Sequence, residues 1–488
     1  MAHLKGFSEE YYSNIIFSNS PWLKDPEKIP KPQAFRREAY YRVQKQLKAK
    51  HQMAVLIKGP RRVGKTEIQK QLIYSLIKDE QYAPTHILYL SLDDVQIQAA
   101  SSENRWRILN DLLNNWANFL GFDTFDEINV PAFCFLDEVQ AVDNWATFIK
   151  NRVDRNPHVR IILSGSAAHS IFKKALEILL GRVISEDITT FSFREFLQKD
   201  QFLPQSFFDQ VAQIGREFER DLSAPILYEA LAKITKELDA ELIQKLLQSF
   251  LILGGFPQIW QIEESNIIEK ARLIDENYVK KVTLEDLMLL RKIRKPELFE
   301  RLLRHLFARP GQEYNQKKVA SELGTTIITL ADAIDLLKQT NLLLFLEKFS
   351  SKAEPLQRKN LKIYPVDLTL TFAMTKKVPS LEGDDKGYVA ESLVAQTIFR
   401  LKGISNVAFL QTDSATESGE IDFYVRSDTL DCPIEVKYQP KIHAEDVKLL
   451  RKIIIAKNLE GGILITPDQW LKDKQIYSIP LWAFLLIA

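Results

Sequence analysis

The chain has 488 residues, too many for a single hydrophobic core, so several domains are expected. Its 45% hydrophobic and 26% charged residues are the proportions of a globular protein, and no apolar run reaches membrane-spanning length. Lysine and arginine (65) balance aspartate and glutamate (64) to a net charge of +1, which excludes bulk basicity and leaves any nucleic-acid surface to be local. The two cysteines, Cys134 and Cys432, lie far apart in apolar or strand-like surroundings. They read as buried free thiols of a reducing compartment, and with no signal-peptide core in Met1 to Ser18 the expectation is a cytoplasmic protein.

In chain order, the first clear element is the apolar run Ala54-Val55-Leu56-Ile57, read as a buried parallel strand. Gly59-Pro60-Arg61-Arg62-Val63-Gly64-Lys65-Thr66 follows and matches G-x-x-x-x-G-K-[ST], the phosphate-binding P-loop. From Glu67 to Lys78 the spacing of Ile68, Leu72 and Leu76 predicts a helix. The motif needs that strand–loop–helix context, because loop N–H groups and the positive end of the helix dipole face the phosphates. Gly59 through Glu67 would therefore bind ATP, with Lys65 on the β- and γ-phosphates and Thr66 on Mg²⁺.

His86 to Leu92 predicts a second strand. A third, Ala132 to Leu136, runs into Asp137-Glu138, the Walker B arrangement. Asp137 would hold Mg²⁺ beside Thr66, and Glu138 would act as general base toward the attacking water. A fourth strand, Val159 to Leu163, ends in Ser164-Gly165-Ser166. Ser164 is the candidate sensor between these acids and the γ-phosphate, with Ser166 as its competitor. Alternating strands and helices argue for a parallel sheet with its ligand at the carboxyl edge.

These motifs, with Leu180-Gly181-Arg182, Phe191-Ser192-Phe193-Arg194-Glu195-Phe196 and Leu253-Gly254-Gly255-Phe256-Pro257, resemble the AAA+ ATPases of archaea and bacteria that carry a C-terminal restriction-endonuclease-like domain. The resemblance implies an arginine acting on the γ-phosphate of a neighbouring subunit, with Arg182 as candidate and Arg152 and Arg155 as rivals. It also implies a homo-oligomeric ring, a hexamer among the options. Phe35-Arg36-Arg37-Glu38 would pack near the adenine base.

Phe191 to about Asp275 is helical in pattern, as a lid would be. Lys280 to Arg304 mixes leucines with Lys280, Lys281, Arg291, Lys292, Arg294, Lys295, Arg301 and Arg304, giving a solvated or a phosphate-contacting face. Leu302 to Phe349 predicts a winged helix: helices at Leu302 to Arg309, Asn315 to Leu323 and Thr329 to Thr340, then a strand from Asn341 to Glu347. Its third helix carries Asp332, Asp335 and Lys338, unlike a base-reading helix. The following hairpin is basic, with Lys348, Lys352, Arg358, Lys359 and Lys362, so backbone contact or a structural role is expected of it.

Further on, Glu391 lies in a helical stretch, Tyr388 to Leu401. Gly419 to Val425 and Pro433 to Lys437 read as strands carrying Asp422 and Glu435-x-Lys437, an arrangement that resembles the PD-(D/E)xK nuclease core. Asp422 and Glu435 would be oxygen ligands of Mg²⁺ or Mn²⁺, Glu391 would reach in from the helix, and Lys437 would activate water.

The reading is an α/β chain: a P-loop AAA+ core over 1–190, a helical lid over 191–278, a winged-helix domain over 279–375 and a restriction-endonuclease-like domain over 376–488. The expected activity is ATP hydrolysis, with Mg²⁺, acting on DNA without sequence specificity, branched or single-stranded forms among the candidates. The alternatives are a nucleotide-dependent protein switch with an inactive nuclease fold, or an ATPase-gated nuclease in genome defence.

Overall fold

A computed structural model describes residues 8–49, 53–101, 104–166, 169–262, 266–280, 296–349, 361–414, 417–427 and 430–488. The chain divides into two compact units, Met1–Ile188 and Thr189–Ala488.

The first unit is built on strands β1 (Ala54–Lys58), β2 (Ile87–Ser91), β3 (Ala132–Asp137), β4 (Val159–Gly165) and β5 (Val183–Asp187). They form one sheet in the order β2-β3-β4-β1-β5, and every pairing is parallel. Helices cover such a sheet on both faces, so its strands read as unbroken apolar runs rather than alternating ones. Leu56, Ile57, Phe135, Leu136, Ile162 and Leu163 are fully buried. The helix Lys65–Lys78 packs through Ile68, Leu72 and Leu76, one side chain per turn on a single face. The register sets Ile57 opposite Ser164 and Ser91 opposite Asp137. The carboxyl ends of β1, β3 and β4 therefore meet along one edge, where the loops carrying polar residues emerge.

The second unit opens with four helices, Phe193–Lys199, Gln205–Asp221, Ala224–Thr235 and Ala240–Leu253. Ser192 and Glu195 close the first turn reciprocally, each side chain accepting from the other's backbone N–H. Leu253-Gly254-Gly255 then turns sharply: Gly254 has φ +66°, and a Cβ on Gly255 would stand 2.5 Å from the Phe191 carbonyl oxygen. Asp367 accepts the Gly255 N–H at 2.7 Å.

Among the described residues nine strands follow: β6 (Glu313–Tyr314), β7 (Leu343–Lys348), β8 (Leu361–Pro365), β9 (Asn406–Ser414), β10 (Glu417–Arg426), β11 (Asp431–Val436), β12 (Gly462–Thr466), β13 (Leu471–Asp473) and β14 (Ile476–Pro480). They make one sheet in the order β13-β14-β12-β11-β10-β9-β7-β8-β6. The segments expected as separate domains over 279–375 and 376–488 thus share a sheet, joined where β7 runs parallel to β9 at Glu347–Ala408 and Lys348–Phe409. The helices Pro296–Ala308, Gln316–Glu322 and Ile327–Leu337 precede β7, and Lys386–Arg400 lies between β8 and β9. Of the basic residues singled out above, Lys281, Arg291, Lys292, Arg294, Lys295, Lys352, Arg358 and Lys359 lie outside the described residues. Lys362, read as one of the basic residues of the hairpin after the third helix, is buried, with 5% of its surface exposed.

Candidate functional site

At the carboxyl edge of the first unit's sheet, β1 runs into the P-loop. Gly59 passes so close to the end of β5 that a Cβ there would stand 2.0 Å from the Ile188 carbonyl oxygen. Gly64 has φ +98°, which an L side chain resists, and it leads straight into the helix at Lys65. The Lys65 ammonium donates to the carbonyls of Gly59 (3.1 Å) and Pro60 (2.7 Å), across the mouth of the loop. The buried Arg37 guanidinium donates to the Val63 carbonyl at 3.0 Å. Gln71, on the loop's helix, donates to the carbonyls of Gln33 and Phe35 at 3.0 and 2.7 Å. The segment 33–37 is thereby strapped to the loop and its helix.

Two carboxylates face the loop from β3. Asp137 is 2% exposed and accepts four hydrogen bonds. The Thr66 hydroxyl donates at 2.6 Å and the Tyr89 hydroxyl at 3.0 Å to one oxygen. Ser164 and the Glu138 N–H donate to the other. Burial first, and the Asp137 charge second, raise the Tyr89 pKa far above the ordinary tyrosine value, so Tyr89 stays a donor. Glu138 has φ +52°, a left-handed backbone that is uncommon for a side-chain-bearing residue. The Ser166 hydroxyl donates to it at 2.8 Å, and the Gln140 amide donates to the same oxygen. The two serines are thus divided, Ser164 on Asp137 and Ser166 on Glu138. Thr66 and Asp137, adjoining oxygen donors below the loop, fit a hard cation such as Mg²⁺.

In the second unit, Asp422 sits at a register irregularity of β10 between Ile421 and Tyr424, a bulge that re-aims its side chain. It accepts the Val436 N–H at 3.0 Å, and Glu435 accepts the Asp422 N–H at 3.3 Å. Lys437 pairs with Glu435. Into this group comes Lys362 of β8. Its ammonium lies 2.9 Å from Glu391 and 3.4 Å from Asp422, and it also pairs with Glu420. The Tyr364 hydroxyl donates to Glu391 at 2.6 Å. Burial first, and the Asp422 charge second, push the Glu391 and Glu435 carboxyls above the usual carboxylate range. Burial opposes the charge on Lys362, but Glu391, Asp422 and Glu420 outweigh it and raise its pKa. Among the described residues no group of three or more His, Cys, Asp or Glu side chains is arranged to hold a metal ion. Glu391, Asp422 and Glu435, expected as Mg²⁺ ligands, thus face lysine ammonium groups and backbone N–H groups, and as placed they do not fit a divalent cation.

Residues 51–197 match the family model of an AAA domain. Residues 244–380 match a second model, described as a domain of unknown function. An uncharacterized protein of Methanocaldococcus jannaschii is 25% identical over 453 residues, covering 88% of each chain. Solved structures that align include C. elegans PCH-2, at 14% identity over 34% of this chain and 43% of that one with TM-score 0.22. S. cerevisiae Hsp104 in complex with casein aligns at 13% identity over 68% and 53%, with TM-score 0.32. This chain therefore spans about half the length of those two, and scores this low support no statement about assembly or substrate.

Within the first unit the arginines are placed unequally. Arg152 reaches Asp126 and Asn110, and Arg155 also approaches Asp126. Arg182 pairs with Asp154 at 2.6 Å, about a third exposed, at the amino edge of the sheet, where its carbonyl accepts the Ala54 N–H. Tyr89, Gln140, Gln71 and the polar role of Arg37 escape a reading of the sequence. The partners of Tyr89, Gln71 and Arg37 lie in other elements, and Tyr89 and Gln71 look like ordinary members of a strand and a helix.

Proposed function

We propose that the AAA domain binds and hydrolyses ATP with Mg²⁺, with Glu138 as the base. The observation that carries this is the pair of separately held carboxylates at the P-loop: Asp137 bonded to Thr66 at 2.6 Å, Glu138 bonded to Ser166 at 2.8 Å. Loop N–H groups and the helix N-terminus receive the phosphates. Lys65 exchanges two loop carbonyls for phosphate oxygens, a short swing of a side chain already at the mouth of the site. Mg²⁺ at Thr66 and Asp137 would neutralise charge on the terminal phosphates. Ser166 and Gln140 fix the carboxylate of Glu138 so that its remaining oxygen is presented to a water. ATP turnover by the wild type, kept in binding but stalled in Glu138→Gln, tests this reading. Wild-type turnover in the variant would remove Glu138 from the role.

The proposed partner is DNA, and the proposed assembly is a homo-oligomeric ring in which Arg182 serves the neighbour's site. The DNA proposal rests on Asp422 and Glu435, on the adjoining strands β10 and β11, with Lys437 one residue past the end of β11, an order that resembles a PD-(D/E)xK core. Turnover measured with and without single-stranded, duplex and branched DNA separates it from a protein-directed switch, which none of these would stimulate. The burial of Lys362 among the acids favours a second unit that grips rather than cuts.

A further inference from the structure

The second unit holds four carboxylates in a small volume: Glu391, Glu420, Asp422 and Glu435. Glu435 is 4% exposed, and the side chains of Glu391 and Asp422 are 14% and 15% exposed. Such a group cannot stay charged without cations close by, because the loss of hydration costs more than packing returns. A divalent ion is one solution. This chain contains another.

We propose that Lys362 is the resident cation of this cluster, filling with its ammonium the place a divalent ion would take, so that the site in the native protein is closed to metal and becomes a metal site only when Lys362 is removed.

Three observations support this. The ammonium contacts Glu391, Asp422 and Glu420 at once, from a side chain only 6% exposed. Those carboxylates come from three places, the helix Lys386–Arg400 and two positions on β10, so they converge on a point and Lys362 occupies that point. The surroundings are also closed. Tyr364, two residues on along β8 and fully buried, donates to the Glu391 oxygen that faces the ammonium. Gly311 passes over the same oxygen so closely that a Cβ there would stand 3.2 Å from it and 2.8 Å from the Tyr364 ring. A divalent ion with oxygen ligands at about 2.0–2.6 Å cannot share this space with an ammonium of like charge. Lys362 belongs to β8, outside the strands and helix that carry the nuclease-like acids. A residue of the neighbouring hairpin thus sets the chemistry of that group.

The test uses the full chain without nucleotide and Mn²⁺ as probe, read by the loss of the free Mn²⁺ electron-spin signal. The nucleotide site is subtracted by comparison with Asp422→Asn. The expected result is no Asp422-dependent binding in the wild type, one bound ion per chain in Lys362→Met, and loss of that ion in Lys362→Met combined with Asp422→Asn. An Asp422-dependent ion already bound by the wild type overturns the proposal, as does Asp422-dependent DNA cleavage by the wild type with Mn²⁺. A folded Lys362→Met that binds no ion overturns it too. If Lys362→Met does not fold, Lys362→Gln, which keeps a hydrogen-bond donor without the charge, carries the same comparison, and the wild-type arm decides on its own whether the native site is closed.

Discussion

Asp137 and Glu138 are neighbours in sequence with different hydrogen-bond partners. Asp137 takes Thr66, Tyr89 and Ser164, whereas Glu138 takes Ser166 and Gln140. The division predicts distinct phenotypes. Glu138→Gln should keep nucleotide affinity and lower turnover by roughly 10²–10⁴-fold, the worth of a positioned general base. Lys65→Ala should lose affinity itself, read with a fluorescent ATP analogue. Ser166→Ala frees one side of the Glu138 carboxylate and should cost roughly tenfold in turnover with little change in affinity, since a hydrogen bond to a charged group is worth about 1.5–3 kcal/mol. Ser164→Ala should act through Asp137 and so weaken the Mg²⁺ dependence of turnover; a Ser164 variant matching Ser166→Ala in both readouts would contradict the division. In the second unit, Lys362→Met leaves buried carboxylates without their cation. It should lower the stability of that unit by about 3–5 kcal/mol in denaturant titration, with part of the loss returned by Mn²⁺, which stabilises only the folded state it binds.

At the scale of elements, the P-loop shows two different demands for glycine. Gly59 has no room for a side chain, because β5 ends 2.0 Å from where its Cβ would be, whereas Gly64 has open space and only a left-handed backbone. Gly59→Ala should therefore part the loop from β5 and abolish nucleotide binding. Gly64→Ala should fold and bind weakly, at a backbone cost on the order of 1–3 kcal/mol, and thermal melting with nucleotide titration separates the two. The strand–loop–helix unit and the Asp137-Glu138 strand end were legible in the sequence, because a parallel sheet covered on both faces writes its strands as apolar runs and the loop chemistry is local. The strap was not. Arg37 reads as a helix-start residue, and its acceptor, Val63, lies 26 residues on. Lys362 reads as one basic residue among several in a basic hairpin. Its burial follows from β8 lying against acids 29 and 60 residues further along, a pairing no local pattern records. The same holds for the shared sheet of the second unit: β7 and β9 are each recognisable as strands, but their parallel contact is a long-range event.

At the scale of the whole molecule, the question is how one chain completes its own ATP site. Arg182 stands at the amino edge of the sheet, beside the start of β1, whereas the P-loop leaves the opposite edge. Strand β5 separates the two levels by five residues, roughly 16 Å at about 3.3 Å per residue. Arg182 cannot serve its own chain's γ-phosphate across that span. Its partner Asp154 is itself 42% exposed, so the ion pair is worth little and costs little to break. If the protein works as a ring with Arg182 acting in trans, Arg182→Ala should lower turnover strongly while leaving nucleotide affinity nearly unchanged. Glu138→Gln should also be inactive, for a different reason. Mixed in equal amounts and allowed to exchange subunits, the two should recover part of the wild-type rate, because an Arg182→Ala subunit keeps its Glu138 and can receive the arginine of a Glu138→Gln neighbour. Sedimentation with and without ATP reports whether an oligomer forms. A protein that stays monomeric at full turnover, or a mixture no more active than its components, would exclude the shared site and leave Arg182 as a surface residue paired with Asp154.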